Sequence, residues 1–212
     1  MPTLIYFPIA GRGALSRLIA KVGGVVDFQD IHDLPDGVMP ADTGSPGSYP
    51  MLLDGDDLKI NESGAIEVYL SLIAPKYQDL IAKQRAKDFH ICQLKETYLR
   101  DFAGIIFNRT KDVETKKVEI EAKAAKWFPL LEGILPSEGF VNGGDYPTPG
   151  DLAVVNICEG YMPFGAAFKM AGLDLAAKYP KLVAHSERVK KIPLVSEALT
   201  SVPTFKTAFP GF

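Results

Sequence analysis

The 212 residues include only two cysteines, Cys92 and Cys158, and no C-x-x-C pair. A dithiol redox centre or a cysteine-based zinc site needs closer spacing, so both thiols read as small buried hydrophobes. Long hydrophobic runs are absent too: nothing approaches the roughly 18 uninterrupted apolar residues of a membrane span. Met1 to Pro8 carry no basic segment ahead of their apolar stretch, which Pro8 and Arg12 interrupt. No secretory signal is read there, and a cytoplasmic location is expected. Without a secretory route, the N-x-[ST] triplets at Asn61 and Asn108 read as chance. There is no basic excess. Lys+Arg number 23 and Asp+Glu 26, a net charge of -3 at pH 7, which argues against a surface built for nucleic acid. With 47% hydrophobic and 23% charged residues, the composition is globular rather than disordered, collagen-like or coiled-coil. The length suits one large domain or two small ones.

The first third alternates short strands and helices. Residues 3–6 are an apolar run of strand formers. Gly11 to Gly13 break it. Residues 14–22 then place Leu15, Leu18, Ile19 and Val22 on one side of a helix and Arg17 and Lys21 on the other, and Gly23-Gly24 end it. Residues 25–31 (VVDFQDI) alternate like a half-buried strand. Residues 33–49 have little periodicity and read as a long surface loop with one irregular helical turn; such loops are often functional. Asp54-Gly55 between two apolar runs signals a hairpin, and residues 63–73 are helical. This order makes an α/β unit with a mixed sheet. After Ala74-Pro75-Lys76 everything reads as helix: residues 77–108, residues 113–131, and a third helix opened by Thr148-Pro149-Gly150-Asp151. Thr148 and Asp151 there have capping-box spacing. Leu152 to Cys158 is apolar nearly all round, so that helix is central.

Four constellations could carry chemistry. Gly11-Arg12-Gly13-Ala14-Leu15-Ser16, with Asp30 about 20 residues on, imitates a dinucleotide fingerprint. The lengthened turn before it, the hairpin and the helical remainder leave no room for the six-stranded parallel sheet that reading needs. Tyr6-Phe7 close the first strand just before a Gly-rich turn, where ligands of open α/β sheets bind. A phenol there can donate to an anion, and Arg12 adds positive charge. Tyr49-Pro50 suit a strand start, where the missing proline donor costs nothing and a cis bond is possible. The main chain of Tyr49 can pair with a peptide-like ligand as an added strand does. Ser63 reads as a helix N-cap, with Glu62 complementing the dipole. The same helix start can hold an anion while Glu62 pairs with a cation, which together fit an α-amino-acid head group.

Taken together, these segments resemble the cytosolic glutathione transferases, tyrosine-type and sigma-like. Tyr6-Phe7, Gly11-Arg12 and Arg17 are similar to the family opening Y-F-x-x-x-G-R-x-x-x-x-R. Gly47-Ser48-Tyr49-Pro50 with Asp54-Gly55 resembles its cis-proline and hairpin segment. Glu62-Ser63-Gly64-Ala65-Ile66 with Tyr69-Leu70 resembles its [QE]-S-x-A-I-x-x-Y-L helix, and Thr148-x-x-Asp151 its central capping box. The resemblance runs over nearly the whole chain. It implies a thioredoxin-like α/β domain with a mixed four-stranded sheet at residues 1–74 and an all-α domain at residues 78–212. It implies a homodimer that binds glutathione and small hydrophobic electrophiles, with no metal and no cofactor beyond glutathione as co-substrate.

By the same resemblance, Tyr6 donates to the glutathione sulfur and Arg12 stands near the thiolate or the electrophile. Ser48, Tyr49 and Pro50 bind glutathione, with Tyr49 on the cysteinyl backbone, Glu62 and Ser63 hold the γ-glutamyl group, and Glu96, with Asp101 as its rival, reaches a neighbouring subunit's site. Second-substrate contacts are expected from Phe7, Tyr98, Phe102, Phe107, Tyr161, Phe164 and Phe209. Many relatives hold the glycyl carboxylate with a Trp and a Lys in the loop before the proline. Here residues 33–49 contain neither, nor any Arg. Two other roles suit the same residues: a glutathione-dependent isomerase of a prostaglandin-type substrate, and a non-catalytic ligand-binding or structural relative.

Overall fold

The computed structural model describes residues 1–202. The apolar run after Pro2 forms β1 (Thr3–Ile5), buried along its whole length. A 3-10 turn at Gly11–Gly13 leads into α1 (Ala14–Gly23), which ends on Gly24 at φ 74°, as the glycine pair predicts. β2 (Gln29–Ile31) pairs parallel with β1, while β3 (Met51–Asp54) pairs antiparallel with β1 and with β4 (Leu58–Asn61). The four strands lie in the order β2-β1-β3-β4. α2 (Ser63–Ile73) packs against α1. Gly55, at φ 63°, makes the tight β3–β4 turn read from Asp54-Gly55.

The second strand is shorter than its alternation predicts. Only residues 29–31 pair, because Gly24 and Asp27, at φ 74° and 54°, turn the chain and leave Val26 exposed. The long loop contains one 3-10 turn, Pro40–Thr43.

The remaining chain is helical. α3 (Ala82–Ile106) begins later than the periodicity suggests, after a separate 3-10 turn at Pro75–Tyr77. α4 (Val113–Ile134), α5 (Pro149–Cys158), α6 (Phe164–Ala171), α7 (Leu175–Lys178) and α8 (Pro180–Lys190) follow, and then α9 (Pro193–Ser201). α5 packs between α3 and α8, with all but its last residue buried, as its uniform apolarity requires. Phe102 gathers Phe128, Phe164 and Phe168 within 6.0 Å, centroid to centroid, into an aromatic core.

The capping box of α5 is present and buried. The Thr148 and Val141 amides each donate to Asp151 at 2.9 Å. Asp151 also meets His185 Nε2 at 2.8 Å. Thr148 Oγ1 donates to Asp88 at 2.6 Å, and the Gly150 amide to the same oxygen at 3.0 Å. Two compact units result. The first is Met1–Ile81 joined by the segment that starts at Leu194, and the second is Ala82–Pro193. Relative to the sequence reading, the first unit runs past residue 74 and takes in most of α9.

Candidate functional site

The register of the sheet assembles the site. Ile31, Ile5, Met51 and Asn61 pair across the four strands. The next residues outward are therefore His32, Tyr6, Pro50 and Glu62, in one row at one end of the sheet. Neighbouring strands are about 4.8 Å apart, so the row spans about 14 Å of backbone. Tyr6, Tyr49-Pro50 and Glu62-Ser63, read separately along the sequence, meet here.

Tyr6 is 6% exposed. Its amide donates to Ile31 O at 3.0 Å, and His32 Nδ1 meets its carbonyl at 3.0 Å. Its hydroxyl accepts from the Arg12 amide at 2.9 Å. The ring lies under the glycine turn: a Cβ on Gly11 would come 2.3 Å from the Tyr6 oxygen, and one on Gly13 2.6 Å from its ring. Burial raises the phenol's pKa, outweighing the Arg12 amide bond and the Arg12 and Arg17 charges that lower it. The hydroxyl thus keeps its proton at neutral pH. That leaves it able to donate rather than to serve as a base.

Arg17, expected on the solvent side of α1, is instead 2% exposed. Its guanidinium turns under the loop after β1, where carbonyls have no sheet partner. It donates to Ile9 O at 2.6 Å, Phe7 O at 3.1 Å, and Asp30 at 2.7 and 3.0 Å. It also stands 5.5 Å from the Tyr6 ring centroid. A cavity of about 640 Å³ on the α1 and β2 side of this loop is lined by Arg17, Lys21, Asp30 and His32, among others.

Across the row, the Tyr49–Pro50 peptide bond is cis. Pro50 is buried and Tyr49 half-buried. Phe7, 50% exposed, sets its ring 5.1 Å from that of Tyr49 and 5.5 Å from that of Tyr6. Ser48 is exposed, and its carbonyl accepts from Ser45 Oγ at 2.8 Å. The α2 start differs from the N-cap reading of Ser63. Glu62 occupies the cap position at φ 70° and ψ 114°, a backbone region costly for a residue with a Cβ, while its carbonyl accepts from Ile66. Ser63 is the first helical residue and is buried, and its hydroxyl has no protein partner among the described residues. Glu62 itself is exposed.

The other expected residues lie in the helical unit. Tyr98, Phe102 and Phe164 are 0% exposed, so they are core and not ligand contacts; their helical spacing reflects packing. Tyr98 packs on Trp127 and Phe128, and burial pushes its phenol up to about 12. Phe107, just past α3, is exposed, and Tyr161, between α5 and α6, is half-buried. Glu96 pairs with Lys95 at 3.3 Å. Its rival Asp101 is held by Lys123 at 2.9 Å and Trp127 Nε1 at 3.0 Å. Phe209 lies outside the described residues. Sequence reasoning missed His32 and the grip of Arg17. In the sequence Asp30 stands out only through its dinucleotide-like spacing from Gly11.

Among the described residues, no cluster of three or more His, Cys, Asp and Glu is arranged to hold a metal, and no helix is long and apolar enough to cross a membrane. Residues 97–201 match the family model for the glutathione S-transferase C-terminal domain. No curated protein matches the chain. Among solved structures, a Caenorhabditis elegans glutathione S-transferase is 26% identical, with a TM-score of 0.70, 95% of this chain covered and 98% of that one. The glutathione S-transferase from Ascaris lumbricoides is 23% identical, with a TM-score of 0.73 and coverage of 96% and 98%. The structure of rat hPGDS complexed with a quinoline is 20% identical, with a TM-score of 0.68 and coverage of 94% and 96%. A thioredoxin-like unit followed in sequence by a C-terminal domain that matches the family model means that the chain belongs to the glutathione transferase family.

Proposed function

We propose that the protein is a glutathione transferase in which Tyr6 stabilises the thiolate of bound glutathione for attack on hydrophobic electrophiles. The observation that carries this is the state of the Tyr6 hydroxyl. It accepts from the Arg12 amide and is held protonated by burial, so its own proton is available to a sulfur at the strand-end row. A free thiol has a pKa of about 8.5 and is mostly protonated at neutral pH; a hydrogen bond to the anion raises the nucleophilic fraction.

In this reading the cysteinyl backbone pairs with Tyr49 as an added strand would. The γ-glutamyl group sits at the start of α2, its carboxylate toward Ser63 and the free helix amides and its ammonium toward Glu62. Arg12 supports the thiolate or the electrophile. The exposed Phe7 ring, braced by Tyr49, offers an apolar face to a flat electrophile. The family reading extends to a cytoplasmic homodimer with no metal.

The test is an ultraviolet difference titration with glutathione at neutral pH, paired with turnover of an aromatic electrophile. Wild type should show a saturable thiolate band. Tyr6→Phe should lose the band and about a hundredfold in kcat, with glutathione binding kept. Full activity in Tyr6→Phe overturns the reading.

A further inference from the structure

β2 is an edge strand of three residues in which no side chain is fully buried. It adds little to the core. What it contributes is polar and converges on the loop after β1. Ile31 O takes the Tyr6 amide, His32 Nδ1 meets the Tyr6 carbonyl, and Asp30 holds the Arg17 guanidinium, which in turn grips the Phe7 and Ile9 carbonyls. Three main-chain carbonyls within four successive residues are thus held by His32, which directly follows β2, or by Arg17, which Asp30 of β2 fixes. These carbonyls lie beyond the ladder of β1 and have no strand partner of their own. Asp30 makes Arg17 rigid through two charge-assisted bonds, so the guanidinium fork is set before it meets the loop.

We propose that Asp30 of β2 and His32 just after it are positioning residues for Tyr6: they fix the backbone from which its hydroxyl is aimed. Neither touches the reacting atoms. The catalytic consequence rests on reading Tyr6 as the donor to the thiol. The geometric consequence does not, because the Arg12 amide bond to Tyr6 Oη reports the aim of the hydroxyl with no ligand present.

The experiment compares His32→Leu, which removes the donor, with His32→Asn, whose amide nitrogen can take the place of Nδ1, and adds Asp30→Asn. The first readout is amide hydrogen exchange of the free protein, resolved at Arg12. In His32→Leu and Asp30→Asn, exchange at Arg12 should quicken about tenfold while α2 amides stay unchanged, and His32→Asn should match wild type. The second readout is the pH of half-ionisation of bound glutathione. In His32→Leu it should rise by about one unit, with kcat falling and KM within about twofold. Unchanged exchange at Arg12 in His32→Leu overturns the proposal, as does acceleration spread evenly over α1 and α2. If Tyr6→Phe keeps full activity, the glutathione reading falls, and Arg12 exchange alone still decides whether β2 positions Tyr6. Should Asp30→Asn loosen Arg17 enough to prevent folding, the His32 pair decides.

Discussion

Gly11 leaves so little room above Tyr6 that a single added carbon would sit 2.3 Å from the phenol oxygen. Gly11 also adopts φ 43°, where a side chain is strained. Gly11→Ala should therefore cost stability by about 1–3 kcal/mol and push the Tyr6 ring out of line. Turnover should fall nearly as far as in Tyr6→Phe. Thermal unfolding and kcat measured on the same preparation check this, and an active, equally stable variant would contradict the packing described.

Glu62 holds a positive-φ backbone conformation that costs glycine less than a residue with a Cβ. Glu62→Gly should leave the Ile66 bond to its carbonyl intact and release about 1 kcal/mol of strain, raising Tm by about 2–4 °C. The same change removes the carboxylate proposed to meet the γ-glutamyl ammonium, so KM for glutathione should rise at least about tenfold. Stability gained with affinity lost is the expected signature. A fall in Tm would show that the backbone is not strained there.

Burial pushes the Asp88 carboxyl up to about 6, with the nearby Asp151 adding to the rise and bonds from Thr148 and Gly150 opposing it. An unfolded aspartate releases its proton near pH 4. Between about pH 4 and 6 the native state holds the more protons, so this group's contribution to stability declines as pH rises through that window and is flat above about 7. Asp88→Asn should flatten the decline and raise stability at pH 7 by about 1–2 kcal/mol, since a neutral amide can still accept from Thr148 and Gly150. Urea unfolding across pH checks it. A variant with an unchanged slope would rule Asp88 out as its source.

Cys158 is half-buried, yet its thiol is shielded enough from water to be pushed up to about 12, and Cys92 is buried beside Pro149. Neither should react with a disulfide reagent at about pH 8 in the folded protein, and both should react in denaturant. Rapid labelling of the native protein would mean that α5 opens far more readily than its packing implies.

Much of this molecule was legible in residue order. Asp54-Gly55, Gly23-Gly24 and the Thr148–Asp151 spacing each specify a local geometry that only a few conformations satisfy, and each is present. The candidate site was legible where side-chain type and chain position coincide, at Tyr6, Tyr49 and Glu62. It was not legible where a residue acts through the sheet. His32 enters the row only because Ile31 pairs with Ile5. Arg17 shares the helical phase of an ordinary solvent-facing cation, and its burial follows from carbonyls that a turn leaves unpaired. The aromatic positions Tyr98, Phe102 and Phe164 were misread for the opposite reason: apolar rings at helical spacing look alike whether they face a ligand or each other.

The carboxylate of Asp88 also bears on how the helical unit comes together. It lies 60 residues before Thr148, yet it accepts from the hydroxyl and the amide that open α5. α5 therefore cannot complete its own start from local residues; α3 must first be brought round to it. Closing a loop of that length is costly in chain entropy, though the cost grows only slowly with length. A peptide covering α5 alone would lack this partner and the partners of its apolar sides, and should be mostly unstructured. The helix at the centre of the unit is thus one whose first turn is sealed by a distant segment, which ties its formation to that of its neighbours and makes the unit fold as a whole.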